Sequence, residues 1–117
     1  DNEYNVWETE ENHIFHTIYG DISGPNPKNI EFIEEKLKNI QKYWELCRYD
    51  LLLIAHNFDS VDKSLSAKEL FKVSAISSEK PDLSDWEICF ETKPQCKWIY
   101  IGMHFQNDEL VANDIST

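Results

Sequence analysis

The chain has 117 residues, with 11 Lys and Arg against 22 Asp and Glu, a formal net charge of −11. A single domain is expected at this length, burying about two thirds of the unfolded surface, and a hydrophobic content of 41% with 13% aromatics excludes a wholly disordered chain. The acidity disfavours nucleic acid and anionic membrane surfaces, and no apolar run reaches the ~18–20 residues that span a bilayer; the longest is Leu51–Ala55.

The residues Tyr4–Glu8 read as a short strand, and Glu10-Glu11-Asn12 as a polar turn. His13–Ile18 alternates, with Ile14, His16 and Ile18 on one side and His13, Phe15 and Thr17 on the other, and predicts a second strand. Gly20 to Pro27 is punctuated as a loop. Asn26 as cap and Pro27 at the first helical position then start a helix.

That helix is the clearest periodic signal. Ile30, Ile33, Leu37, Ile40, Trp44, Cys47, Leu51 and Ile54 recur at spacings of three and four, with charged residues between them. The spacing would also suit a coiled coil. Beyond Lys42 the stripe broadens with Tyr43, Leu46, Tyr49, Leu52 and Leu53, which fits one long helix laid across a sheet. Trp44 is then expected to be buried against that sheet. Leu51–Ala55 could alternatively be a strand, although its Leu and Ala content favours helix.

Asn57–Lys63 is a loop, and Ser66-Ala67-Lys68-Glu69 matches a capping box that opens a short second helix. Strands are predicted at Phe71–Ser77, Trp86–Glu91, Trp98–Phe105 and, more weakly, Leu110–Ile115, with turns at Lys93–Cys96 and Gln106–Glu109. The order is β-β-α-(α)-β-β-β. With hairpins at both ends, this predicts a two-layer α+β domain, its mainly antiparallel sheet covered on one face by a long amphipathic helix.

The cysteines Cys47, Cys89 and Cys96 are odd in number, which argues against a disulfide framework. Cys47 lies in the helical stripe. A turn centred near Pro94-Gln95 places Cys89 opposite a residue near Tyr100, out of register with Cys96. Free thiols suit a reducing cytoplasm. Asp1-Asn2-Glu3 offers neither a basic nor an apolar leader segment, so no signal peptide is expected in the chain as it stands.

No catalytic motif is present. His13 and His16 would point to opposite faces of a strand and cannot share an ion. No H-E-x-x-H, C-x-x-C or glycine-rich phosphate loop occurs, so neither a metal nor a cofactor is expected. The informative strand is the one from Trp98 to Phe105. Ile99, Ile101, Met103 and Phe105 form its core face, whereas Trp98, Tyr100, Gly102 and His104 point away, beside Glu87 and Glu91 of the neighbouring strand. Glu87, Glu91, Trp98, Tyr100 and His104 are therefore the candidate partner-binding residues, unless a loop or the N-terminal segment covers them. Aromatic anchors supply affinity at protein interfaces, and acidic residues steer a basic partner toward them.

The succession of the Gly20–Pro25 loop, a long helix, the short helix at Ser66–Leu70, the segment Trp86–Phe90 and a final hairpin resembles small bacterial α+β proteins, some of which are similar to immunity proteins of toxin systems. That resemblance implies neutralisation of a toxin by occlusion. It agrees with the acidity, the small size and the missing catalytic motif, and makes a basic protein the expected partner and a non-enzymatic role the expected one. The alternatives are a small enzyme built on a Cys–His pair and an accessory homodimeric subunit.

Overall fold

The structure, a computed structural model, describes residues 5–117. The chain forms an α+β fold in the order β1 (Asn5–Glu11), β2 (Ile14–Asp21), β3 (Gly24–Pro25), α1 (Pro27–Lys38), α2 (Ile40–Ala55), α3 (Ala67–Leu70), β4 (Phe71–Ser78), β5 (Asp85–Thr92), β6 (Tyr100–Gln106) and β7 (Glu109–Ser116). The strands make one sheet in the order β1-β2-β4-β5-β6-β7, with β3 beside β2. No helix is long and apolar enough to cross a membrane among the described residues.

The first hairpin departs from the expected turn. Glu10 and Glu11 continue β1 and pair with Phe15 and Ile14, while Asn12 and His13 form the two-residue connection with φ of 55° and 66°. Two successive left-handed residues match the right-handed twist of the strands they join. Tyr4, the first residue of the expected strand, lies outside the described residues.

The sheet is mixed. β2 and β4 run parallel, with Phe15 opposite Ala75 and Thr17 opposite Ser77, whereas every other pairing is antiparallel. The helices are the crossover that a parallel pair requires. The buried Asn29 anchors the start of this crossover, donating from its amide to the carbonyls of Ser78 and Lys80 and to the Ser78 hydroxyl at 2.8–3.2 Å.

The expected single helix is broken. Asn39 leaves helical geometry at φ −108°, ψ 27°, and its side chain donates back to the Glu35 carbonyl at 2.9 Å. A side chain that competes for the helix's own carbonyls ends α1 there, and α2 starts at the next residue. On either side of the break the buried line sits one position ahead of the expected stripe, at Lys36 and Tyr43 in place of Leu37 and Trp44, and it rejoins the stripe at Cys47, Leu51 and Ile54. Lys36, Tyr43, Cys47, Leu51 and Ile54 are buried, while Trp44 is only half-buried, its ring edge-on to Phe90 at 4.9 Å. The expectation of a buried Trp44 is thus corrected: Tyr43 takes the core position. Its ring meets Trp86 at 5.0 Å and Phe105 at 5.6 Å, both edge-on.

Asp108, in the turn between β6 and β7, holds the two helices to the sheet. It accepts the Tyr43 hydroxyl at 2.7 Å and the Lys42 ammonium at 2.7 Å, and pairs with the Lys36 ammonium at 3.4 Å. Lys36 is nearly buried, its Nζ 4.8–5.4 Å from the ring centroids of Phe32, Tyr43 and Trp86. The bond from Lys42, then that from Tyr43, with Lys36 close by, lowers the Asp108 carboxyl from 3.8 to about 2.

Both contacts can be measured through stability. Tyr43→Ala is expected to cost about 3–5 kcal/mol and Trp44→Ala about 1–3 kcal/mol, measured by guanidinium denaturation; the reverse ranking would contradict the packing. The Asp108 carboxyl is depressed on folding, so its contribution is complete above pH 4 and is lost as pH falls toward 2. The side chain is half exposed, so solvent screening reduces that contribution to about 1 kcal/mol. Denaturation of Asp108→Asn from pH 7 to pH 2 should show that loss at neutral pH and a flatter acid limb. An acid limb as steep as in the unmodified protein would refute the assignment.

Candidate functional site

The strand alternation read from sequence survives in β6. Ile99, Ile101, Met103 and Phe105 are fully buried under the helices. Ladder partners share a face, so the registers define the opposite side strand by strand. It carries Val6, Glu8 and Glu10 from β1, and Phe15 and Thr17 from β2. Lys72, Ala75 and Ser77 come from β4, Glu87, Cys89 and Glu91 from β5, and Tyr100, Gly102 and His104 from β6. Ala112 and Asp114 of β7 complete it. Among the described residues no helix covers this side.

All five residues expected at the site lie here. Trp98 is 47% exposed. Its indole N–H donates to Glu91 Oε2 at 2.7 Å, and its ring lies 6.1 Å from that of Tyr100. Trp98 precedes β6 rather than belonging to it, so the Glu91 bond holds the indole in place of the ladder. Glu91 stands opposite Tyr100, and Glu87 opposite His104.

The face is not bare sheet. Its polar side chains lie flat on it and bury the small residues beneath, Cys89 and Gly102 among them. The Glu87 carboxylate lies across Gly102, where a Cβ would run into its Oε2. Glycine at 102 thus leaves room for the carboxylate, which any larger residue would displace. His104 Nε2 sits 3.0 Å from Glu87 Oε2 and 2.7 Å from Asp114 Oδ2. One ring nitrogen carries at most one proton to donate, so the two carboxylates share a single donor and keep unused acceptor capacity for an incoming cation. The ligand atoms of Glu87, His104 and Asp114 lie within 4.8 Å of one another, and these are the residues of this face that could hold a metal. Three donors fall one short of the four that close a structural zinc site.

Asp114 escaped the sequence reading, as did Val6, Glu8, Glu10 and Phe15. The alternation along β1 and β2 contained part of that information. The neighbourhood of β2 and β4 did not, because it depends on the parallel crossover. Phe15, 53% exposed, and Val6, 47% exposed, thus add an apolar patch toward the β1 edge of the same face.

The cysteines are free. Cys89 pairs with Gly102, not Tyr100, because the connection runs to Ile99, whose carbonyl accepts the Thr92 N–H at 3.0 Å. The turn centre moves and the register shifts by two residues, so every side chain keeps its face. Burial pushes the Cys89 thiol up to about 12, with its Tyr100 hydrogen bond acting in the opposite direction. Burial, helped by Asp50, pushes Cys47 to about 12 as well. Both thiols stay protonated at neutral pH, which leaves little thiolate for nucleophilic chemistry.

No family model matches the sequence, and neither the curated proteins nor the solved structures contain a match.

The thiols give a direct check on the site's geometry. With Ellman's reagent at pH 8, native protein should react quickly at the half-buried Cys96 and slowly at Cys47 and Cys89, while denatured, unreduced protein should titrate all three. Rapid modification of all three in the native state would mean that the side chains above Cys89 do not shield it.

Proposed function

We propose that this protein is a binding protein of the immunity or inhibitor kind, which neutralises a basic protein, such as a nuclease toxin, by covering it with the open face of the sheet. It acts by occlusion and contributes no chemistry of its own. The observation that carries this reading is one face, covered by no helix among the described residues, that combines an exposed, hydrogen-bonded tryptophan with carboxylates whose acceptor sites are not used up. Trp98, fixed by Glu91, is the aromatic anchor. Glu87 and Asp114 around His104 offer a seat for a lysine or arginine, since a fixed carboxylate accepts a charge-assisted hydrogen bond from either. Glu8 and Glu10 extend the negative potential to the β1 edge.

The division of labour is physical. The carboxylates speed encounter with a basic surface, and salt screens that effect. Burial of the aromatics supplies affinity. The free thiols, which suit a reducing cytoplasm, agree with this reading. Burial of the Cys47 and Cys89 thiols weakens the alternative of a Cys–His enzyme built on either of them.

The test compares immobilised protein with two variants as bait in extracts of the source cell, followed by kinetics on the captured protein and by co-expression. A basic protein should be retained, released by salt, and relieved of its toxicity by co-expression. Trp98→Ala should weaken binding by at least ~2 kcal/mol, about 30-fold, without unfolding the domain. Glu87→Lys with Glu91→Lys should slow association, most at low salt. A partner indifferent to both changes, or an acidic one, would end the proposal.

A further inference from the structure

We propose that the cavity under the helix break is a binding site for a small amphipathic monocarboxylate. This site is separate from the open face and does not depend on that face's role. The cavity measures about 870 Å³, within the range of about 300–1,000 Å³ typical of small-molecule sites. It lies where α1 ends at Lys38 and α2 begins at Ile40, above the starts of β2 and β4. Had the helix continued through Asn39, the apolar stripe would run on in the same phase across this end of the sheet. Instead Ile14, Leu37, Ile40, Trp44, Phe71 and Val73 line the space between the layers.

The charges point to the ligand. Lys38, Lys68 and Lys93 line the cavity from three different elements or their ends. Among the described residues none of them has a carboxylate within ion-pair distance, although the chain has twice as many acidic as basic residues. Lys68 donates instead to the Gln41 side-chain carbonyl and lies over the Trp44 ring at 5.7 Å. Lys72 also lines the cavity, but its strand position stands opposite Glu91, so the case rests on the other three. Glu11 and Glu34 lie on the same lining. Of the charged residues on the lining four are lysines and two are glutamates, with the Glu69 carboxylate acting on Lys93 from alongside, in a molecule whose net charge is −11.

An apolar body occupies the floor, and one negative charge satisfies the lysines. A phosphate dianion fits less well. The lining has no arginine to grip it in bidentate fashion, and the two glutamates oppose a second negative charge. A neutral or cationic amphipath would gain the apolar contact but leave the lysines unmatched.

Calorimetry and thermal melting with decanoate, decanol and decyltrimethylammonium, all below their aggregation concentrations, isolate the head group on one tail. Decanoate should bind and raise the melting temperature; decanol should bind at least tenfold more weakly and the cation not at all. Lys68→Glu with Lys93→Glu, at an exposed and a half-buried position, should weaken decanoate at least tenfold while circular dichroism shows the fold intact. Val73→Trp, which fills the floor, should abolish binding. Equal affinity for the three probes, no binding of decanoate, or binding unchanged in the lysine variant would overturn the proposal. So would attachment to phosphatidylglycerol vesicles without binding of free decanoate. Trp98→Ala should leave decanoate binding unchanged, which keeps this result distinct from that for the open face.

Discussion

The arrangement depends on one carboxylate. Asp108 sits in a tight turn at one end of the sheet, yet it meets side chains from both helices: Lys36 of α1, and Lys42 and Tyr43 of α2. Because Asn39 interrupts the helix between them, backbone hydrogen bonds alone hold the relative orientation of α1 and α2 only loosely. Asp108 supplies the missing constraint from the sheet side. It also shares with Glu35, 3.6 Å away, the neutralisation of Lys36, a nearly buried ammonium set among ring faces. A nearly buried charge left without carboxylates is costly, and Asp108 meets it from the sheet side, although its own half-exposed side chain contributes only about 1 kcal/mol. Trp86 reinforces the same corner. Its indole N–H donates to the Asn107 carbonyl at 2.7 Å, and its ring stacks on Phe105 at 4.6 Å.

The helix layer fixed in this way divides the molecule's surfaces. One side of the sheet is committed to the core, through Ile88, Phe90, Ile101, Met103 and Phe105. The other is left for polar and aromatic groups that lie flat and shield the backbone without a second layer of helices. The outer strands β1 and β7 are exposed along most of their length. Glu8, Glu10 and Glu11 on β1, and Glu109 and Asp114 on β7, place negative charge at both edges, a common defence against edge-to-edge association.

Charge is sorted in space as well as along the chain. The open face gathers Glu8, Glu10, Glu87, Glu91 and Asp114, while Lys38, Lys68 and Lys93, none of them in a salt bridge among the described residues, gather with Glu11 and Glu34 at the cavity under the helix break. This segregation lets one small acidic domain present two surfaces of different chemistry: a broad acidic face with aromatic anchors and a compact apolar recess rimmed by cations. Three Asp-x-Ser turns occupy the connecting loops. In each, the aspartate accepts both the backbone N–H and the hydroxyl of the serine two residues on, at Asp21, Asp62 and Asp82. They use acidic residues to stiffen loops without needing any basic partner.

Local chemistry was legible in the sequence. Asn26 and Pro27 start α1, Ser66 and Glu69 form the capping box of α3, and the alternation from Ile99 to Phe105 separates core from surface, because caps and periodicity depend only on near neighbours. The same alternation placed Glu87, Glu91, Trp98, Tyr100 and His104 on one face, and this withstood a wrong turn centre since the register error was two residues. Long-range features lay beyond reach. Asn39 looks like any polar residue in a helical pattern, and the way α2 is held beyond the break depends on Asp108, far along the chain, through Lys42 and Tyr43. The parallel pairing of β2 with β4 carries Phe15 and Val6 to the open face, and the β6–β7 register brings Asp114 to His104. Neither has a local signature. Strand order and helix breaks are decided by which buried side chains find partners across the fold, and that balance exists only once the chain is folded.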